Sequence, residues 1–276
     1  MKSAIGVFDS GIGGLSVLKA LQAELPHENF IYVADSGHAP YGERDETYVV
    51  ARSLVIAEYL VSQNIKALVV ACNTATAAAI GYLRTKHPQL PIIGVEPALK
   101  PAMALSKTRR IGVLATRRTV ESFKFQTLLA FLTGQSDAVK FVIQPCDGLA
   151  NAIERYADNG DATNIIAIYT KYTRLMGAFG KENGEIDTLV LGCTHYPFVN
   201  AYLRDLIGPE VQFVESGEAV ARQVRRLVSA TLLENFGVTL AHLGQVNLLA
   251  TGQLGTLQAA ATRWLNLKSP VNLLSI

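Results

Sequence analysis

No apolar run in this chain of 276 residues approaches the roughly 18 that a membrane-spanning helix needs, and neither sign of charge dominates. The 25 basic and 23 acidic residues leave a net charge of +2 and are scattered, apart from pairs such as Arg117-Arg118 and Arg225-Arg226. A basic stripe of the kind that tracks a phosphate backbone is therefore missing, and neither a nucleic-acid nor a membrane partner is expected. Cysteine is scarce. The three cysteines, at 72, 146 and 193, are odd in number and far apart, which excludes a disulfide framework and leaves free thiols. The opening "MKSAIGVFDSGIGG" enters a strand-like stretch at once, without the apolar region of a signal peptide, so a cytoplasmic location is expected. There is no low-complexity segment and no long linker.

What is present is apolar: 49% hydrophobic against 17% charged residues, enough for a sizeable core in one large domain or two small ones. Short aliphatic or β-branched runs recur at 4–8, 30–34, 67–71, 91–95, 110–115, 140–144, 188–192, 211–214 and 246–250. Most of them read as strands buried on both faces. Between them lie segments with helical spacing, such as Leu15, Leu18, Leu21 and Leu25, or Val220, Val224, Leu227 and Val228. Strands alternating with helices predict parallel sheets in an α/β fold, with ligands beyond the carboxyl ends of the strands.

The chain also repeats itself. "IGVFDS" at 5–10 matches "IGVLAT" at 111–116, and "LVVACNT" at 68–74 matches "LVLGCTH" at 189–195. Two pseudo-symmetric parallel-sheet α/β domains are expected, the first formed by 1–96 plus 209–276 and the second by 97–208, with Pro97 and Pro101 marking a stiff boundary. Two such halves facing across a cleft would bring two strand-end thiols to one site from opposite sides. The last segments, from "VQFVESGEAV" onward, are expected to return to the first sheet.

Three motifs carry chemistry. "DSGIGGLSV" puts Asp9 and Ser10 at the end of the first strand, with glycines leading into a helix, a turn suited to presenting N–H groups to an anion. Position 16 is Ser, so the third glycine of a dinucleotide fingerprint is lacking, and a small carboxylate ligand fits better. "ACNTAT" places Cys72 before Asn73, Thr74 and Thr76, where Asn and Thr serve as caps and the helix dipole favours a thiolate. The blander reading of Cys72 is a small buried hydrophobe. "LGCTHYP" sets Cys193 and Thr194 beside His195, the side chain best able to exchange protons near neutral pH, with Pro197 in the first turn of the next helix. A metal site would need a third and fourth ligand at zinc-like spacing, which are missing, and a protease-like nucleophile would leave Cys72 without a task. The pairing favours two thiols acting together. In "ATRRTVES", Thr116 and Thr119 offer hydroxyls at a helix start, and capping alone accounts for one of them. Cys146 reads as structural, and Glu154 by itself as a solvated charge.

Together "DSGIGGLSV", "PYG", "ACNTAT", "GVEPA", "AT..T" and "LGCTHYP" make residues 5 to about 220 similar to the glutamate racemase family of the cofactor-independent aspartate/glutamate racemase superfamily. The resemblance implies a two-domain α/β fold with the site between the domains, no cofactor and no metal. It implies D-glutamate supply for peptidoglycan. Cys72 and Cys193 would be the two acid/base residues, the first deprotonating D-glutamate and the second L-glutamate, with Asp9 and His195 assisting. Ligand-holding positions would be Ser10, Pro40, Tyr41, Gly42, Asn73, Thr74, Thr116, Thr119 and Thr194, and Asp35 and Glu154 match acidic positions near the site. The turn amides at 10–14, 73–74 and 194 are candidates to stabilise a developing carbanion. Arg117 and Arg118 stand where glycine is common in the family, and Glu215 where aspartate is usual. Aspartate racemase is the nearest rival, although His195 favours glutamate; a non-catalytic amino-acid binding protein is the rival of another class. The sequence leaves a homodimer open.

Overall fold

The computed structural model describes residues 3–135, 138–232 and 243–276, which divide into two compact units, residues 1–95 with 217–276 and residues 96–216. In the first unit the strands are β1 (Ile5–Asp9), β2 (Phe30–Ala34), β3 (Ala67–Val70), β4 (Ile92–Gly94), β9 (Val246–Ala250) and β10 (Val271–Leu273). They pair in the order β10-β9-β2-β1-β3-β4, every pair parallel. β1 lies between β2 and β3, with Ile5 opposite both Phe30 and Ala67. All five residues of β1 and all four of β3 are buried, which is why these strands read as unbroken apolar runs without alternation.

Helices cover the sheet. Leu15–Glu24 buries Leu15, Leu18 and Leu21, and ends where Leu25 turns toward Pro26. Gly217–Leu232 buries Val220, Val224 and Val228 and packs against it, with Gly217 over Ala20 and Arg225 bonded to Glu24 at 2.9 Å. On the other side Glu46–Ser62 and Asn73–Lys86 contribute Val49, Ile56, Leu60, Ala79 and Leu83 to a core that includes Phe8, Leu68 and Val70.

The second unit has β5 (Arg110–Ala115), β6 (Lys140–Pro145), β7 (Thr188–Gly192) and β8 (Gln212–Val214), again all parallel, in the order β6-β5-β7-β8. This is the arrangement β2-β1-β3-β4 repeated, so the short sequence matches mark equivalent strands. Ile111 and Val113 face a core with Leu99, Phe125 and Leu132, while Gly112 on the other face is crowded by Leu189, Met176 and Ile186.

Two features depart from the sequence reading. The strand expected at 211–214 pairs with β7 and not with the first sheet, so 209–216 lie with the second unit. Only the 3-10 turn Tyr196–Val199 and the helix Asn200–Ile207 separate it from β7, and so short a crossover returns a strand beside the one it left. β10 was not anticipated: it is a three-residue edge strand whose residues are half-buried or exposed, and its pairing with β9 makes it a strand.

Candidate active site

In the first unit, β1, β2 and β3 end beside one another and deliver the polar residues predicted for the site. Asp9, at the end of β1, is fully buried. Its carboxylate accepts the Ser10 N–H at 2.7 Å and, through a short bond, the Gly14 N–H. The glycine turn is therefore filled by the chain's own carboxylate. This corrects the expectation that the amides at 10 and 14 await an external anion: a carboxylate five residues upstream already satisfies the donors that such a turn exposes. Gly14 is required sterically, because a Cβ there would lie 2.7 Å from Asp9 Cβ and 2.9 Å from the Tyr32 hydroxyl oxygen. Tyr32 in turn donates to the Gly11 carbonyl at 2.7 Å.

Cys72 follows β3 and is itself the cap of the helix Asn73–Lys86. Its sulfur accepts the Ala75 N–H at 3.4 Å while its carbonyl accepts from the Thr76 N–H at 2.8 Å. A sulfur among the first N–H groups of a fourteen-residue helix is favoured as a thiolate by their partial positive charge. Asn73 and Thr74 are the first helical residues, and the cap itself is Cys72. Thr76 is structural, bridging the Val70 carbonyl at 3.1 Å and the Val95 N–H at 3.0 Å. The Ser10 hydroxyl lies 3.9 Å from Cys72 Sγ and 3.4 Å from Asp9 Oδ1, the long end of a relay between carboxylate and thiol. Beyond β2, Pro40 and Gly42 are half-buried and Tyr41 is buried, its hydroxyl on Asp35.

In the second unit, the equivalent strand ends carry Thr116 after β5 and Cys193 after β7. Thr116 caps the helix Arg117–Glu121, accepting the Thr119 N–H at 3.4 Å, and its hydroxyl lies 2.9 Å from that of Thr119. One capping threonine thus holds the other. Arg117, exposed, pairs with Asp147 across the loop after β6, a contact of small energetic weight at such exposure.

Cys193 is 6% exposed and Thr194 7%. The chain then turns tightly, with Tyr196 N–H on the Cys193 carbonyl, into a 3-10 helix over Tyr196–Val199 that carries Pro197 in its first turn. That turn brings His195 Nδ1 to 3.7 Å from Cys193 Sγ, while His195 Nε2 meets Glu154 Oε1 at 2.7 Å. Burial alone would push the imidazole's pKa down; the sulfur and the carboxylate on its two nitrogens outweigh this and hold it well above the usual histidine range. Sulfur, imidazole and carboxylate in series are the parts of an acid/base-active thiol: a proton-exchanging group, its partner and an orienter. Cys146 is different. Buried against Gln144, its thiol is pushed far above the ordinary range by burial and by the neighbouring Cys193, so it stays protonated.

Sequence reasoning gave Glu154 no role beyond resemblance, and it overlooked Arg52 and Thr251, which hold Asp35. Arg52 did leave a signal: it is a lone cation in "YVVARSLVIA", on the helix that buries Val49, Ser53 and Ile56. Among the described residues no group of three His, Cys, Asp or Glu is placed to hold a metal ion.

The two units are parallel α/β sheets, each with a buried cysteine just beyond a strand end, and together they define a two-unit α/β protein. Residues 5–224 match the model of the Asp/Glu/Hydantoin racemase family. The chain belongs to that family and is an isomerase, an amino-acid racemase. It is 49% identical over 227 residues to a glutamate racemase of Methylococcus capsulatus, covering 82% of this chain and 79% of that one. Solved structures agree: a glutamate racemase from Thermus thermophilus in complex with β-chloro-D-alanine is 32% identical, with a TM-score of 0.77 over 100% of this chain and 98% of the other. The Escherichia coli glutamate racemase, solved with L-glutamate and the activator UDP-MurNAc-ala, is 28% identical, with a TM-score of 0.81 over 99% and 98%.

Proposed function

We propose that the chain interconverts L-glutamate and D-glutamate by two-base proton transfer at Cα, without a cofactor, and supplies D-glutamate for peptidoglycan in the cytoplasm. The observation that carries the reading is that equivalent strand ends of the two units, after β3 and after β7, each bear a buried cysteine with a partner set able to stabilise or shuttle its proton. The relatives' names and the family model support glutamate as the substrate.

Inversion at Cα removes a weakly acidic proton from one face and returns one to the other, so one thiolate and one thiol must act on the same carbon. In this reading Cys72 takes the proton of D-glutamate and Cys193 that of L-glutamate. Asp9 serves Cys72 through Ser10, and His195 serves Cys193. Ser10, the Pro40–Gly42 loop, Asn73, Thr74, Thr116, Thr119 and Thr194 hold the substrate.

Cys72→Ser and Cys193→Ser should each lower racemisation by about 10²- to 10⁴-fold, the usual contribution of a positioned acid or base, because a hydroxyl is a far weaker acid than a thiol. Cys146→Ser should stay active, and a chelator should change nothing. In deuterated water the newly formed enantiomer should carry solvent deuterium, with little in the recovered starting enantiomer early in turnover. Near-normal racemisation by either serine variant, or label in both enantiomers from the start, refutes the two-base assignment. Turnover of aspartate equal to or better than that of glutamate would favour the aspartate reading, because one methylene is worth about 1–3 kcal/mol in a pocket.

A further inference from the structure

Asp35, the first residue beyond β2, is fully buried. A lone carboxylate in such a place would be strongly disfavoured, so its partners decide its state. Arg52 grips both oxygens, Nη2 on Oδ1 at 2.9 Å and Nε on Oδ2 at 3.0 Å. Thr251 Oγ1 donates to Oδ1 at 2.8 Å, and His38 Nδ1 lies 3.0 Å from the same oxygen. The Tyr41 hydroxyl donates to Oδ2 at 2.5 Å. Burial pushes the carboxyl's pKa up, but the hydrogen bonds from Arg52, Tyr41 and Thr251 more than offset this and hold it below the usual carboxylate range.

These partners come from separate stretches of chain: the loop after β2, the helix Glu46–Ser62 and the end of β9. The same stretches are stapled by Gly37 N–H on Thr251 Oγ1 at 3.1 Å and by the Ser36 hydroxyl on the Gly252 carbonyl. Tyr41 is packed in the same apolar cluster as Cys72. Burial and the adjacent Asp35 push its hydroxyl far above the ordinary tyrosine range, so it is a fixed donor and not a proton carrier. Pro40 and Gly42 have no polar side-chain atom, and the only one on Tyr41 is engaged by Asp35. What the loop has left to offer a ligand is main chain.

We infer that Asp35 is a positioning residue: a buried anion that anchors the Pro40–Gly42 loop through the Tyr41 hydroxyl, so that the loop meets the amino-acid substrate with its backbone while the tyrosine serves as a strut. The inference rests on the substrate-binding reading of that loop given under Proposed function.

The test compares Tyr41→Phe, Asp35→Asn and the double variant in the full-length protein. Steady-state kinetics would be read in both directions, and amide hydrogen exchange of the peptide spanning residues 37–44 without ligand. A hydrogen bond to a charged group corresponds to about tenfold or more, so each single variant should raise KM by about tenfold for both enantiomers while kcat stays within about threefold. The double variant should be no worse than Asp35→Asn, since one interaction is lost once. Exchange in 37–44 should quicken by a comparable factor in Tyr41→Phe, the milder change, with β3 and the helix after it unaltered. Additive KM effects, a fall in kcat at constant KM, or unchanged exchange in 37–44 would overturn the inference. Should the wild-type protein fail to racemise glutamate, the functional reading falls, and the exchange measurement still decides whether Asp35 holds the loop.

Discussion

His195 sits between two groups that both favour its protonated form, the sulfur of Cys193 on Nδ1 and the carboxylate of Glu154 on Nε2. Its pKa is raised above the ordinary value of about 6.5. A raised histidine contributes stability that is complete below its unfolded-state value and is lost as pH climbs through the folded-state value. The same sign governs catalysis if the imidazolium is the working form. Glu154→Gln removes one stabiliser of the cation, so the alkaline limb of kcat/KM should move to lower pH, with the acid limb nearly fixed. A pH profile of both proteins checks this, and an unmoved alkaline limb would remove Glu154 from the proton path. The cysteines, His195 and the hydroxyl residues beside them were legible because they cluster directly behind apolar runs. Glu154 was not, because it follows buried Ile153 on a helix whose charges otherwise face water, and its bond to His195 spans 41 residues of chain. Asp35 and Arg52 are hidden for the same reason: a buried ion pair between residues 17 apart leaves no local pattern.

β1 with its glycine turn shows how little space an element can have. A methyl group at Gly14 would press on Asp9 Cβ, the Tyr32 hydroxyl and Ala71 Cβ, the last at 3.1 Å, and all three belong to the framework that places Asp9 and Cys72. Gly14→Ala should therefore destabilise by about 1–3 kcal/mol, as overpacking does, and should reduce activity in the fraction that folds. Gly81, inside the helix Asn73–Lys86 with nothing near its would-be Cβ, is the contrast: Gly81→Ala should stabilise by about 0.5–1 kcal/mol. Thermal unfolding of the two variants checks the pair, and equal shifts of the same sign would contradict it. Strands announce themselves as aliphatic runs, and all nine that the sequence suggested are present, the fully buried β1, β3 and β7 most plainly. Which sheet a strand joins is less visible, because β8 is placed by the shortness of its crossover, and β10 has too few buried residues to stand out.

At the scale of the molecule, the second unit is one continuous stretch of chain, whereas the first is completed only by residues 217–276. The order of synthesis then matters. β5 to β8 are all made before β9, and until β9 arrives β2 is a sheet edge with one row of unsatisfied backbone groups. At about 5–20 residues per second the wait lasts seconds, long compared with the folding of a small α/β unit. Nascent chains arrested so that residue 232 has just emerged should resist protease across 96–216 while remaining cleavable between β2 and β3; simultaneous protection of both regions would refute this order. Thr251, at the end of that late strand, is also the residue that closes over Asp35. The loop after β2 thus receives its fastening from a residue translated 216 positions after Asp35, and a chain arrested before β9 would carry a finished Cys193 environment together with an unfastened Tyr41 loop.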